Sequence, residues 1–186
     1  PVMKVTISVG GKFHAFHLAR QLQDRGHLNK IFTTYPWFKV KKEGIPKDKV
    51  ICLSLTKACE YIIRNIPYLE SIIKIRYYFA LCFDLEVRKR IKPCDIFLGF
   101  GDVSLYTMRK AGSLGAKTVL ECGSRHIESE NDTLKEEYGL VGRKPLLPEP
   151  RMIKRKLKEY QEADYIVVPS TFAKESFLNK GFPDNK

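Results

Sequence analysis

The sequence lacks the glycine fingerprints of the common nucleotide-binding loops. It contains neither G-x-G-x-x-G nor G-x-x-x-x-G-K-[ST], which disfavours a dinucleotide site and a P-loop triphosphate site. Its five cysteines form no C-x-x-C pair, and no His/Cys cluster or carboxylate pair has the spacing of a metal site or a hydrolase dyad. We therefore expect no bound metal.

Long apolar segments are also absent. No run approaches the ~20 consecutive apolar residues of a membrane span, and the start lacks the basic-then-apolar pattern of a signal peptide. The cysteines are odd in number and lie mostly in apolar runs, where a thiol packs as a small hydrophobic group. We expect reduced thiols and a cytoplasmic protein.

The chain has the composition of an ordinary globular domain. Its 186 residues are 44% hydrophobic and 29% charged, which suits a single domain with a sizeable core. The formal net charge is +12, and much of the excess lies in segments 39–49 and 143–158. Such a field favours nucleic acid, anionic lipid or phosphorylated substrates, and the alternative is a solvated surface with no partner.

Apolar runs of strand length alternate with segments of helical periodicity along the chain. This pattern predicts a doubly wound, mostly parallel α/β sheet of the Rossmann-like class, in which ligands bind at the carboxyl ends of the strands. The predicted strands are 4–9, 28–33, 50–53, 95–100, 117–121 and 165–168, and the predicted helices include 15–25, 68–91, 103–114, 133–138, 153–163 and 171–180. The site is therefore expected in loops 10–14, 99–104, 122–130 and 169–172.

Two glycines separate the first strand from the first helix. Free N–H groups and the dipole of a helix N-terminus attract phosphate, and Gly10 and Gly11 would let the backbone come close to it. The alternative is a tight turn that needs glycine only for a left-handed backbone. Both interpretations stay open at this point.

The sequence Gly123-Ser124-Arg125-His126 follows the fifth predicted strand directly. There His126 is suited to hydrogen-bond a sugar hydroxyl or accept a proton, and Arg125 to face a phosphate. The alternative is an exposed polar loop with an incidental histidine. Asp102, after the fourth strand, either accepts bonds from substrate hydroxyls or caps the next helix.

Three stretches together resemble the N-terminal domain of glycosyltransferase family 4, whose members are retaining enzymes of the GT-B architecture. They are KVTISVGGKFHAFHLARQLQDRGH, VLECGSRHIESENDTLKEEYG and EYQEADYIVVPSTFAKESFLNKGFP. In the last stretch Ala163, Asp164, Pro169, Ser170 and Gly181 match the family's order of residues. The resemblance implies that 1–186 is one Rossmann-like acceptor-side domain, the N-terminal half of a GT-B fold, with the C-terminal donor-binding domain outside this chain.

The resemblance also implies a reaction. A hexose would move from a nucleotide-sugar to a lipid-linked, polysaccharide or other acceptor, without a cofactor and with the chain inactive on its own. His126 matches the histidine beside the reacting sugar, while Glu121 and Cys122 replace the Asp-Arg of one subgroup and leave no arginine there. The predicted donor-phosphate or acceptor cleft consists of Gly10, Gly11, Lys12, Asp102, Gly123, Ser124 and Arg125.

Many members of that family touch anionic membrane through basic and aromatic residues of this domain. The matching candidates here are Lys74, Arg76, Tyr77, Tyr78, Lys154 and Arg155, which would place the protein peripherally on the inner face of a membrane. Two alternatives are a basic, non-enzymatic nucleic-acid-binding domain and a free-standing nucleotide-binding Rossmann enzyme. The first is motivated by the charge, and the second is disfavoured by the missing glycine fingerprint.

Overall fold

The computed structural model describes residues 2–53, 56, 61 and 74–186, and within them six strands form one sheet. Every pairing is parallel, and the order is β3-β2-β1-β4-β5-β6. This is the strand order of the Rossmann fold, so the predicted fold class is confirmed. The strands are β1 Val5–Val9, β2 Leu28–Thr33, β3 Val50–Cys52, β4 Ile96–Phe100, β5 Lys117–Glu121 and β6 Tyr165–Val167.

Helices connect the strands on both sides of the sheet, as right-handed crossovers require. The described helices are α1 Ala15–Asp24, α2 Trp37–Val40, α3 Lys74–Arg90, α4 Leu105–Ser113, α5 Ile127–Leu140, α6 Pro150–Glu162 and α7 Thr171–Leu178. Short 3-10 turns occupy Lys41–Glu43 and Lys47–Lys49. The predicted helix 68–91 is confirmed over its described part, and its segment 68–73 lies outside the described residues.

The core covers both faces of the sheet. All five residues of β1 are buried, as expected for a central parallel strand with helices on each side. Ile7 pairs with Ile31 of β2 and Leu98 of β4, so the register places apolar rows side by side. Fully burying one such side chain stabilises the fold by about 1.5–3 kcal/mol. Besides Ile7 and Ile31, the largest fully buried apolar side chains among the described residues are Phe16, Phe32, Phe83, Phe97, Met108, Leu120, Ile127 and Tyr160.

Helix α5 is longer than the sequence predicted. The predicted helix spans 133–138, whereas α5 begins at Ile127, because His126 caps it through a ring nitrogen rather than through a serine, threonine or asparagine. Cys52, Cys82, Cys94 and Cys122 are free thiols, and Cys59 lies outside the described residues. Among the helices that the structure describes, none has the length and apolarity to cross a bilayer.

Candidate functional site

The sheet has its topological switch point between β1 and β4. The chain adds β2 and β3 on one side of β1, and β5 and β6 on the far side of β4. The loops after β1 and β4 therefore lead in opposite directions and leave a crevice at the carboxyl edge of the sheet. The loop after β1 is 10–14 and the loop after β4 is 101–104. The loop after β5, next to β4, lies at the same edge.

Gly10 and Gly11 do not adopt the left-handed backbone, so the explanation that they serve only such a turn is wrong. The left-handed residue of this loop is Phe13, with φ 37°. A Cβ at Gly11 would lie 3.0 Å from the ring of Phe13, which stacks on Phe100 at 5.9 Å. The hydroxyl of Thr34 donates to the carbonyl oxygen of Gly10 at 2.7 Å and fixes the loop. Both glycines therefore permit a close-packed loop.

Helix α1 begins at this loop with an open N-terminus. No side chain caps it and no acidic residue lies in its first turn. By contrast, α5 is capped by His126 and α7 by Ser170. An uncapped helix start beside a glycine loop attracts phosphate through its N–H groups and its dipole. Lys12 lies next to it, and its ammonium pairs with Glu43 at 2.8 Å, which raises the pKa of Lys12.

Helix α4 also begins at the crevice, but two buried carboxylates close its N-terminus. Glu159 of α6 accepts from the backbone N–H groups of Asp102, Ser104 and Leu105 at 2.7, 2.9 and 3.0 Å. Asp84 of α3 accepts from the N–H groups of Tyr106 and Thr107 at 2.8 Å each. The protein's own acids thus fill this anion position, so of α1 and α4, the two helices described as starting at the switch-point crevice, only α1 has an open N-terminus.

Arg155 joins the two carboxylates. Its guanidinium pairs with Asp84, lies 3.6 Å from an oxygen of Glu159 and donates to the carbonyl oxygen of Asp102 at 2.8 Å. All three charged side chains are at most 3% exposed, and burial raises the pKa of Glu159 to about 7 against the lowering effect of Arg155. The assignment of Arg155 to an exposed membrane or polyanion face is therefore wrong.

The other predicted residues of that face differ from Arg155 in their exposure. Arg76, Tyr78 and Lys154 are exposed, and Tyr77 is half-buried. The hydroxyl of Tyr78 accepts from the guanidinium of Arg151 at 3.2 Å. The side chain of Lys74 lies outside the described residues.

The sequence did not reveal a pairing of His14 with Glu121. His14, at the end of the β1 loop, lies 3.1 Å (Nε2 to Oε1) from Glu121, the last residue of β5. His14 is exposed and its ring lies 5.4 Å from that of Phe100, whereas the Glu121 side chain is mostly buried. An imidazole aligned by a carboxylate and open to solvent can exchange a proton with a bound substrate.

The loop after β5 brings a guanidinium to the same edge. Arg125 donates to the hydroxyl of Thr133 at 2.9 Å and lies 4.8 Å above the ring of Phe172. Ser124 donates to Glu130 at 3.1 Å. A Cβ at Gly123 would meet no atom within 4 Å, so space is open there. A guanidinium held on two sides is preorganised for a carboxylate or phosphate.

His126 lies inward from these residues. Its ring is packed by Tyr160 and Phe177, with both ring centroids 5.1 Å away, and the residue is 2% exposed. Its Nδ1 accepts from the N–H of Glu128 at 3.3 Å, and its own N–H donates to Ser176 at 2.8 Å. Burial lowers the pKa of His126, which suits a neutral ring that caps α5. Its catalytic role stays a prediction.

The capping role of His126 has a measurable consequence. We expect His126→Ala to lower the free energy of unfolding by about 2 to 4 kcal/mol, from the lost cap and the lost ring packing. His126→Asn keeps a capping acceptor and should recover roughly 1 kcal/mol of that loss. His17 is exposed and serves as the control: His17→Ala should change the free energy of unfolding by no more than about 0.5 kcal/mol. Urea unfolding measures all three, and equal losses in the Ala and Asn variants would exclude the cap.

Asp102 does not cap α4 with its side chain, so that alternative is wrong. Its carboxylate pairs with the ammonium of Lys156 at 3.0 Å, and its backbone has φ 79°. Burial raises the pKa of the neighbouring Cys122 to about 12, which keeps this thiol protonated. Asp102 borders the crevice, and a contact with substrate hydroxyls stays a prediction.

Comparisons with known proteins bear on the fold. No family model matches the chain, and no curated protein matches it. A similar solved structure is a crystal structure from Listeria monocytogenes that carries the provisional assignment UDP-N-acetylglucosamine 2-epimerase. The identity is 15% and the TM-score 0.52, over 98% of this chain and 43% of the other. The chain thus spans less than half the length of that protein, and the likeness is one of Rossmann-like fold.

Proposed function

We propose that residues 1–186 form the acceptor-side domain of a GT-B enzyme that transfers a hexose from a nucleotide-sugar to a lipid-linked, polysaccharide or other sugar acceptor. One observation carries the proposal. At a single sheet edge, the open N-terminus of α1 carries His14 at its cap position, and the His14 imidazole pairs with the carboxylate of Glu121 at the end of β5. The fold neighbour, named for a nucleotide-sugar reaction, supports a sugar-nucleotide ligand.

The site residues divide between the two parts of such a ligand. The diphosphate would lie on the N–H groups after Gly11, with Lys12 and Arg125 as cations. Sugar or acceptor hydroxyls would face His14 and Glu121. The imidazole would take the proton of the acceptor hydroxyl as its oxygen bonds to the sugar carbon, while the bond from that carbon to the diphosphate breaks and the nucleoside diphosphate leaves. We propose no cofactor, and a donor-binding domain outside this chain would complete the cleft.

The basic charge does not by itself favour nucleic acid. Cations of the basic segment 143–158 are engaged in ion pairs within the domain. Arg155 and Lys156 pair with Asp84 and Asp102. The nucleic-acid alternative therefore ranks below the sugar-nucleotide one.

The test is a titration of the chain with nucleoside-diphosphate sugars, beginning with UDP-N-acetylglucosamine, and in parallel with single-stranded RNA. We expect saturable binding of a nucleotide-sugar, with a free sugar and a nucleoside bound more weakly, since the diphosphate supplies the contacts at α1. Steeply salt-dependent RNA binding without nucleotide-sugar binding would instead support the nucleic-acid alternative.

A further inference from the structure

Two residues other than glycine have a left-handed backbone in the part of the chain that the structure describes. They are Phe13, with φ 37°, and Asp102, with φ 79°. Both lie in loops at the switch-point crevice, one after β1 and the other after β4. Aspartate adopts this backbone readily, whereas a bulky phenylalanine there is rare and strained, and such strain clusters at functional sites. The strain at Phe13 therefore points to a function.

The loop after β1 does not require the ring of Phe13. Glycine would adopt φ 37° without the steric cost of a Cβ, and glycines already occupy positions 10 and 11 of the same loop. The ring is also not part of the hydrophobic core, because Phe13 is 67% exposed. A large apolar side chain that is kept on a strained backbone and left open to solvent is suited to contact a ligand.

The ring of Phe13 is nevertheless held in a defined orientation. It stacks on the buried ring of Phe100, with the centroids 5.9 Å apart and the planes 22° from parallel. It also lies against Gly11, where an added Cβ would come within 3.0 Å of the ring. The protein therefore supports one face of the Phe13 ring, and the opposite face is open to solvent at the crevice.

Phe100 also places the polar groups of the site next to the Phe13 ring. The ring of His14 lies 5.4 Å from that of Phe100, and its Nε2 lies 3.1 Å from Oε1 of Glu121. An apolar face and a hydrogen-bonding pair therefore stand side by side. A pyranose ring has the matching chemistry, since its C–H groups form an apolar face for an aromatic ring and its hydroxyls form a polar rim. A nucleobase would also stack, but it has no hydroxyl from which His14 could take a proton.

We propose that Phe13 is the platform on which a pyranose ring of the acceptor stacks, with one of its hydroxyls at the His14–Glu121 pair. This inference rests on the proposed sugar transfer and narrows the chemical class of the group that accepts the sugar to a pyranoside. Stacking on Phe13 sets where the pyranose ring lies, and the imidazole then selects the hydroxyl that faces it.

Saturation-transfer nuclear magnetic resonance tests the inference, with the chain and the methyl pyranosides of glucose, galactose, mannose and N-acetylglucosamine as probes. At least one pyranoside is expected to bind, with the strongest saturation on its ring C–H protons. Phe13→Gly should weaken that binding about tenfold through the lost stacking, while Phe13→Tyr, which keeps an aromatic ring, should bind within a factor of about three of the wild type. Tyr138→Ala is the control, since it removes an exposed aromatic side chain near the end of α5 and should leave pyranoside binding unchanged.

Urea unfolding of the same variants separates a ligand role of the ring from a structural one. Phe13→Gly relieves the strained backbone but loses the stack on Phe100, so its urea midpoint should stay close to that of the wild type. A clearly lower midpoint together with unchanged pyranoside binding would assign the ring to the packing of the loop and overturn the proposal.

Titrations with UDP-N-acetylglucosamine and with uridine distinguish this inference from the proposed function. Phe13→Gly keeps the backbone N–H groups at the start of α1, so it should bind UDP-N-acetylglucosamine within a factor of about three of the wild type. If the wild-type chain bound this nucleotide-sugar but none of the pyranosides, the platform would be refuted and the proposed function would stand. The same holds if Phe13→Gly lost uridine binding and kept pyranoside binding. If the chain bound neither class of ligand, both proposals would fail.

Discussion

Replacing Arg155 by alanine is expected to lower the free energy of unfolding by about 3 to 5 kcal/mol, the range for breaking a buried charge pair. The guanidinium is 3% exposed and joins Asp84, Glu159 and the carbonyl oxygen of Asp102. Removing the guanidinium leaves the buried carboxylate of Asp84 without a cation. The N-terminus of α4 still needs that carboxylate as a hydrogen-bond acceptor. Urea unfolding followed by circular dichroism measures the loss.

The neighbouring Lys154 provides a control for Arg155. Lys154 is exposed on the same helix, so Lys154→Ala should change stability by no more than about 0.5 kcal/mol. A decrease of less than about 1 kcal/mol in the free energy of unfolding of Arg155→Ala would mean that the Arg155–Asp84 pair is solvated in the native protein. That result would refute the buried network.

Glu121→Gln is expected to lower sugar transfer by the enzyme that contains this domain by about a hundredfold, because general acid–base catalysis commonly contributes that much. Glutamine keeps the volume and a hydrogen bond to His14 but removes the negative charge that would stabilise the positive charge developing on the imidazole during proton transfer. The substitution should lower kcat more than it changes KM. The His14–Glu121 pair acts in the proton-transfer step and does not bind the diphosphate. Initial-rate kinetics across a range of pH separate the two.

Glu162 supplies the matched control for Glu121. It pairs with Arg109 at 2.6 Å, away from the carboxyl-edge loops, and Glu162→Gln removes the same charge without touching His14. Turnover within a factor of about two is expected for this control. If Glu121→Gln kept full turnover and an unchanged pH profile, the imidazole–carboxylate pair would have no role in the chemistry.

Most of the fold is visible in the sequence because each element carries its own local signal. The six strands are short apolar runs with β-branched residues, and α1 shows apolar residues at helical spacing before Gly26 ends it. The structure confirms these elements to within a few residues. Helix α5 was underestimated at its start because a histidine cap is not among the usual sequence signals.

The candidate site is less predictable because its contacts join distant segments. His14 and Glu121 are 107 positions apart, and no periodicity or motif links them. Arg155 stands in a run of basic residues that reads as a solvated surface, yet its ion pair with Asp84 spans 71 positions and is buried. Burial of a charge depends on partners that only the tertiary fold supplies. Gly10, Gly11 and Arg125, by contrast, follow strands directly, and the topology alone places them at one edge.

The most direct test of the central claim is a nuclear magnetic resonance titration of the chain with a nucleoside-diphosphate sugar, followed through the backbone amides. The largest shift changes are expected at Gly10 to Ala15, at Glu121 and at Gly123 to Arg125, around the open start of α1. Changes confined to the hollow between β6 and α7, lined by Ile166, Phe177 and Phe182, or no saturable change at all, would contradict it.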